Sequence, residues 1–335
     1  MADAVSGRPT LVLGAAQLGN LGGPMDDATA AALLEAAWAA GVRQFDTAPH
    51  YGLGLSERRL GRFLATKPRD EFRVSTKVGR LLVPAPERDH ALLDDEGFHV
   101  PRTFHRRWDF SARGIGDSLE ASRERLGLEH IDIAYLHDPE QHLETAMGHG
   151  YRALAEFRAA GVVGEIGVGN RNVELLRHMV EELDLDRIML AGRFTLLDQS
   201  AARSLFPACR RRGVGIDNAS VFNSGILAES PIVDGAWFDH GVASSAVLDR
   251  ARRIERVVTE SGSTLPAAAL AFAAAADVVR TVVVGAMSAA QLRQIVEWRE
   301  APPAPATWAQ LAEAGLIDAD LIDGESAAGA VAAFG

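Results

Sequence analysis

Residues 45–61 read FDTAPHYGLGLSERRLG. An apolar run ends in Asp46, breaks at Ala48-Pro49, and gives way to a helix-compatible stretch, with Tyr51, one of only three tyrosines in the chain, just past the break. A strand that ends this way delivers ionisable groups to one rim of its sheet. The unit recurs. TLVLGA (10–15), VRQFD (42–46), FRVSTK (72–77), IDIAYLH (131–137), VGEIGVGN (163–170), RIMLAGRF (187–194), VGIDNAS (214–220) and TVVVG (281–285) are short β-branched or apolar runs, with amphipathic segments between most of them. Near-continuous apolar strands separated by helix-length segments indicate βαβ units and a parallel sheet. Eight such strands without an evident linker favour one domain over residues 1–335, an α/β chain folded as a (β/α)8 TIM barrel. The alternation by itself also admits an open doubly wound sheet.

Helix ends carry their own signals. Asp27 precedes an Ala/Leu-rich run that stops at Gly41, and Asp117 with Glu120 forms a capping-box pattern at the start of a helix, SLEASRERLG, closed by Gly127. Two connections exceed plain turns: residues 80–116, with Trp108, and residues 220–247, with Trp237 and Phe238. Aromatic residues in connections of this length point to functional loops over the C-terminal rim. The tail from Ala301 to Gly335 mixes a proline-rich turn with Ala/Gly repeats, and its last ten residues are expected to be disordered.

Composition narrows the function classes. An apolar content of 47% supports a sizeable core, and a net charge of -11 opposes binding to nucleic acid or anionic membrane. No basic-then-apolar leader and no long uncharged apolar run is present, so a cytoplasmic location is expected. Cys209 is the sole cysteine, and the ten histidines show no metal-binding spacing. Lys+Arg totals 34, yet Lys67 and Lys77 are the only lysines. In that arginine-rich background a lysine marks a place where a compact ammonium matters. Lys67 reads as an exposed loop residue. Lys77 ends a strand.

On a (β/α)8 barrel the strand C-termini share one rim, where the active sites of this fold lie. Asp46, Lys77 and His137 end three successive strands, and Tyr51 follows the first of them. A phenol of ordinary pKa, about 10, is a poor base at neutral pH. Lys77 would lower it, Asp46 would hold Lys77, and neutral His137 would donate to a substrate oxygen. Such a set suits proton transfer to a carbonyl or alcohol oxygen and leaves the carbon chemistry to a hydride, most simply that of nicotinamide.

FDTAPHYG with LSERRLG, then STKVG, then IDIAYLHDPE, in order over residues 10–295, resembles the aldo-keto reductase superfamily. LGAAQLGNL, the stretch WDFSARGIGDSLEASRERLGLEHIDIAYLHDP, GRFTLLDQ and VFNSGILA are most similar to its branch of D-threo-aldose 1-dehydrogenases and L-fucose dehydrogenases, with pyridoxal 4-dehydrogenases close by. The resemblance implies a barrel that binds a nicotinamide dinucleotide, with Asp46, Tyr51, Lys77 and His137 as catalytic tetrad. It implies cofactor contacts from Gly19 and Asn20, from Asn170, from the pyrophosphate loop Ser220, Val221, Phe222, Asn223, Ser224 and Gly225, and from Gly285, Ala286, Met287, Ser288, Gln291 and Gln294. Ala191 and Ala219 replace a glutamine and a tyrosine that relatives use around the nicotinamide, with Phe222 as a candidate substitute. No cation occupies 285–291, so NAD is preferred to NADP, a 2′-phosphate needing charge-assisted bonds. The implied reaction is oxidation of the C1 hemiacetal of an aldose such as L-fucose or D-arabinose to the lactone. His50, Trp108, Asp109, Arg193 and Trp237 are the candidate substrate contacts. Pyridoxal 4-dehydrogenase, a general NADPH carbonyl reductase, a cofactor-sensing regulatory subunit and a metal-dependent hydrolase are the alternatives. Oligomeric state is open.

Overall fold

The computed structural model of the chain describes residues 9–239 and 241–321; the last ten residues, expected to be disordered, lie outside them. In chain order the strands are β1 (Thr10–Gly14), β2 (Gln44–Asp46), β3 (Arg73–Val78), β4 (Arg80–Pro84), β5 (Phe104–Trp108), β6 (Ile131–His137), β7 (Val163–Asn170), β8 (Arg187–Ala191), β9 (Gly215–Ala219), β10 (Trp237–Phe238), β11 (Gly241–Val242) and β12 (Val279–Val284). Eight of them close into a barrel in the order β1-β12-β9-β8-β7-β6-β3-β2. Every pair in it is parallel. Because β1 bonds both β2 and β12, the sheet has no edge, and the open-sheet alternative is excluded.

Strand side chains alternate in direction, so each barrel strand feeds two cores. Val12, Ile133, Tyr135, Met189, Ala219 and Val283 form the cluster inside the barrel. Their sequence neighbours, among them Leu11, Leu13, Ala134, Leu136, Ile188 and Leu190, pack outward beneath the helices. The interior also holds charge. Asp217 accepts from Arg187 Nη2 at 2.8 Å, from Thr281 Oγ1 at 2.6 Å and from the Tyr135 hydroxyl.

The first long connection is not irregular throughout, because β4 and β5 pair as an antiparallel hairpin beside the rim. Its helix also starts earlier than the capping-box pattern indicates. Ser111 caps helix Ala112–Leu126 by accepting from Gly114 N, which leaves Asp117 and Glu120 inside the helix, paired with Arg113 and Arg123. For the first helix the cap is Asp26, one residue before the expected Asp27. In the second long connection β10 and β11 form a short hairpin. Lys67 is not a plain exposed residue: Nζ bonds Glu35 at 3.0 Å and sits 4.7 Å from the centroid of the Phe63 ring. Among the described residues no helix is long and apolar enough to cross a membrane.

Candidate active site

The strand ends bring Asp46, Lys77 and His137 to the C-terminal rim, and the turn after β2 adds Tyr51. Lys77 Nζ donates to Asp46 Oδ2 at 2.6 Å and to Thr47 O at 3.0 Å, while Ser75 Oγ donates to Asp46 Oδ1 at 2.7 Å. Both charged side chains are 3% exposed. The Tyr51 ring lies above the pair, its centroid 4.7 Å from Nζ, and the His137 ring stands nearly perpendicular to it at 6.3 Å. Sequence spacing thus located four groups that the barrel brings together.

The position of Tyr51 is set by backbone. A Cβ on Gly19 would fall 2.5 Å from Tyr51 C, and one on Gly52 would fall 2.3 Å from Gly19 O, so the two glycines let the Tyr51 turn rest directly on the β1 loop. The motif LSERRLG holds that turn from behind. Ser56 Oγ donates to Ala15 O at 2.6 Å, Glu57 accepts from Thr76 and Arg125, and buried Arg59 donates to Leu18 O, Asn20 Oδ1 and Met25 O.

Burial, the largest single influence, opposes the charge on Lys77, but the Asp46 carboxylate and Tyr51 together outweigh it and hold the ammonium above its ordinary range. For Tyr51 the balance runs otherwise. Burial raises the phenol above its ordinary value, and Lys77 pulls it down only in part because Asp46 and Asp138 counter it. The expected net lowering of this phenol is corrected: loss of water costs the phenolate more than one paired ammonium returns. Burial, then Arg80 and Lys77, holds His137 well below the usual imidazole range, so it is neutral.

His50 belongs to the same cluster, its ring 5.8 Å from that of His137 and 5.0 Å from Phe98. Of the other expected substrate contacts, Trp108 lines the rim on β5, but one face carries the Arg80 guanidinium at 4.0 Å. Asp109 accepts from Ser111 N and Oγ at the start of a helix, and Arg193 is bound by Asp239 and Asp198. Trp237 is 56% exposed on the β10–β11 hairpin. Sequence reasoning missed Arg80 and Asp138, whose signal was present: KVGR places a cation right after a strand end, and HDPE places a carboxylate beside the candidate histidine.

The expected cofactor side follows the other half of the rim. Asn170 is buried at the end of β7. In the loop after β9, Ser220, Asn223 and Ser224 have positive φ of 54°, 45° and 60°, and Gly225 has 103°. Such turns expose backbone N–H groups to an anion. Buried Asn223 Oδ1 and Gln17 Oε1 have no hydrogen-bond partner, and a Cβ on Gly285 would meet Gln17 Oε1 at 2.5 Å. These residues fit a polar, extended group. Other expected contacts are already engaged: Asn20 Oδ1 accepts from Met25 N and Arg59, Gln291 Oε1 accepts from Met287 N, and Ser288 caps helix Ala289–Glu300. Phe222, the candidate substitute for the nicotinamide clamp, packs edge-on against Trp298 at 5.9 Å. Ala191 and Ala219 are register partners on β8 and β9.

The sequence pattern of the Aldo/keto reductase family matches residues 10–315. The chain belongs to the aldo/keto reductase family. It is therefore an oxidoreductase acting on CH–OH groups, in a family that uses nicotinamide cofactors. It is 52% identical to a D-threo-aldose 1-dehydrogenase of Pseudomonas sp over 92% of this chain and 94% of that protein. It is 38% identical to a pyridoxal 4-dehydrogenase of Microbacterium luteolum, with the same coverage of 92% and 94%. Among solved structures, the holo form of an aldo-keto reductase from Bacillus halodurans superposes with a TM-score of 0.73 at 22% identity, covering 92% of each chain, which supports the barrel fold.

Proposed function

We propose that the chain oxidises the C1 hemiacetal of an aldose, of the L-fucose or D-arabinose type, to the lactone, with NAD as acceptor. The buried Lys77–Asp46 pair beneath Tyr51 carries this reading, since a phenol, a fixed ammonium and a neutral imidazole side by side suit proton exchange with one substrate oxygen. Tyr51 exchanges the proton of the C1 hydroxyl. Lys77 stabilises the phenolate that takes this proton and becomes the neutral phenol, Asp46 fixes Lys77, and His137 donates to the same oxygen. The C1–H bond breaks with its electron pair, and C1–O becomes a carbonyl. A bound nicotinamide would supply the hydride acceptor for that pair. Asn170, the loop 220–225 and the turn 285–288 are the residues proposed to hold the dinucleotide. The absence of a cation over 285–291 favours NAD over NADP.

Identity to the Pseudomonas aldose dehydrogenase supports the sugar reading, and identity to the pyridoxal dehydrogenase supports a second, in which the hemiacetal belongs to pyridoxal. Reduced-nicotinamide absorbance against L-fucose, D-arabinose, L-galactose, L-xylose and pyridoxal, each with NAD and NADP, tests both. The highest kcat/KM is expected for an aldose with NAD. A preference for pyridoxal selects the second reading, a larger kcat/KM with NADP overturns the cofactor assignment, and no turnover of any substrate overturns the function.

A further inference from the structure

The tetrad histidine is not alone on its side of the site. Asp138 follows it with a left-handed backbone, φ 43°, a strained conformation for a residue with a side chain. That twist turns the carboxylate back toward the rim. Asp138 Oδ2 lies 3.6 Å from His137 Nε2 and accepts from Arg80 Nη2 at 2.7 Å, while Oδ1 accepts from Asn170 Nδ2 at 3.4 Å. Arg80 is held in turn. Gly79 turns the chain with φ 97°, the guanidinium lies on the Trp108 ring at 4.0 Å, Glu96 Oε2 is 3.9 Å from Nη1, and buried Nε has no partner.

A lone carboxylate this close to Nε2 would draw a proton onto the imidazole. An imidazolium cannot act as the neutral donor the reaction needs, and its charge would compete with Lys77 for the Tyr51 phenolate. We infer that Arg80 and Asp138 form a positioning pair, in which Arg80 holds Asp138 Oδ2 at 2.7 Å and keeps it 3.6 Å from His137 Nε2, so that the ring stays neutral and Nε2–H stays available to the substrate oxygen. The inference rests on the proposed tetrad. The charged and titratable groups around His137 are Asp138 on its own strand, Lys77 with Asp46 on neighbouring strands, His50 and Tyr51 from the β2 turn, and Arg80, Glu96 and Arg106 from the hairpin side; Glu140 and Arg171 act on Asp138.

Arg80→Gln, Asp138→Asn and the double variant test the pair in the full-length protein. In Arg80→Gln the unpaired Asp138 carboxylate is expected to raise the His137 ring against the burial that remains, so that the ratio of variant to wild-type kcat/KM falls from pH 8 to pH 6, about fourfold where the ring is brought up to about 6.5. In the double variant the ratio is flat. Imidazole NMR, with the His137 signal assigned by its loss in His137→Asn, gives a readout that needs no turnover: the ring titrates between pH 8 and pH 6 in Arg80→Gln and does not in the wild type or the double variant. If Arg80→Gln is too unstable to assay, Arg80→Lys is expected to keep the ring untitrated. A His137 signal in folded Arg80→Gln that ignores pH, or a titrating ring in Arg80→Lys, overturns the pair even if activity is lost. A wild type that turns over no aldose overturns the proposed function and leaves the NMR arm intact.

Discussion

Lys77 and Asp46 hold each other ionised where water is excluded, and removing one leaves the other uncompensated. Lys77→Met should lower stability by about 3–5 kcal/mol, the range for breaking a buried pair. Lys77→Met/Asp46→Asn should recover much of that in a urea melt while restoring no turnover. Equal melts for the single and double variants would contradict the pairing. Tyr51→Phe changes no charge, so melts and NAD affinity by fluorescence quenching should match wild type while kcat falls by about 10²–10⁴. His50 tests the electrostatics in the other direction. Burial, Arg80, Arg106 and Lys77 push its pKa from 6.5 down to about 2. A depressed pKa contributes stability that is present above the unfolded value of 6.5 and is lost as pH falls toward 2. The urea midpoint should therefore drop between pH 6.5 and pH 4, and His50→Gln should drop less; parallel curves would show that His50 is exposed to solvent.

Among the elements, the turn from β2 to helix Leu55–Leu64 controls the site, since it carries Tyr51 and rests on Gly19. Gly52→Ala meets Gly19 O at 2.3 Å with φ 61°, so it incurs both backbone strain and a backbone clash. Gly127 offers the control. Its φ is 68°, but a Cβ there meets nothing within 4 Å. Both substitutions should cost about 1–2 kcal/mol from the left-handed backbone, with a further ~1–3 kcal/mol at Gly52 from overpacking. Only Gly52→Ala should lower kcat in the fraction that remains folded. A Gly52→Ala protein with wild-type kcat would mean that Tyr51 is placed by something other than the two glycines.

Over the whole molecule the barrel encloses a charged layer under the site. Arg187 bonds Glu165 at 3.1 Å and Asp217 at 2.8 Å, joining β7, β8 and β9 within the barrel. This layer is fixed by closure, and no single strand could assemble it. The free thiol reports on the outer core. Cys209 is fully buried, and burial pushes its pKa from 9.0 up to about 12. A raised pKa contributes stability that is whole below 9.0 and is lost as pH rises toward 12. Native protein should resist a thiol-reactive dye until it unfolds. The urea midpoint should decline above pH 9, less so in Cys209→Ala; rapid labelling of native protein would contradict the burial.

The chain's own pattern determined the eight barrel strands and the order of Asp46, Tyr51, Lys77 and His137 along the rim, because strand period and strand-end position are local properties that need no partner. The scarcity of lysine singled out Lys77 for the same reason. What local pattern does not encode is who else reaches the rim. The β4–β5 hairpin brings Arg80 to Trp108 and Asp138; Asp109, Ser288 and Gln291 take up hydrogen bonds at helix starts and turns; and desolvation reverses the expected direction for Tyr51. Each depends on distances between segments far apart in sequence and on how much water they exclude, and those quantities exist only once the barrel has closed.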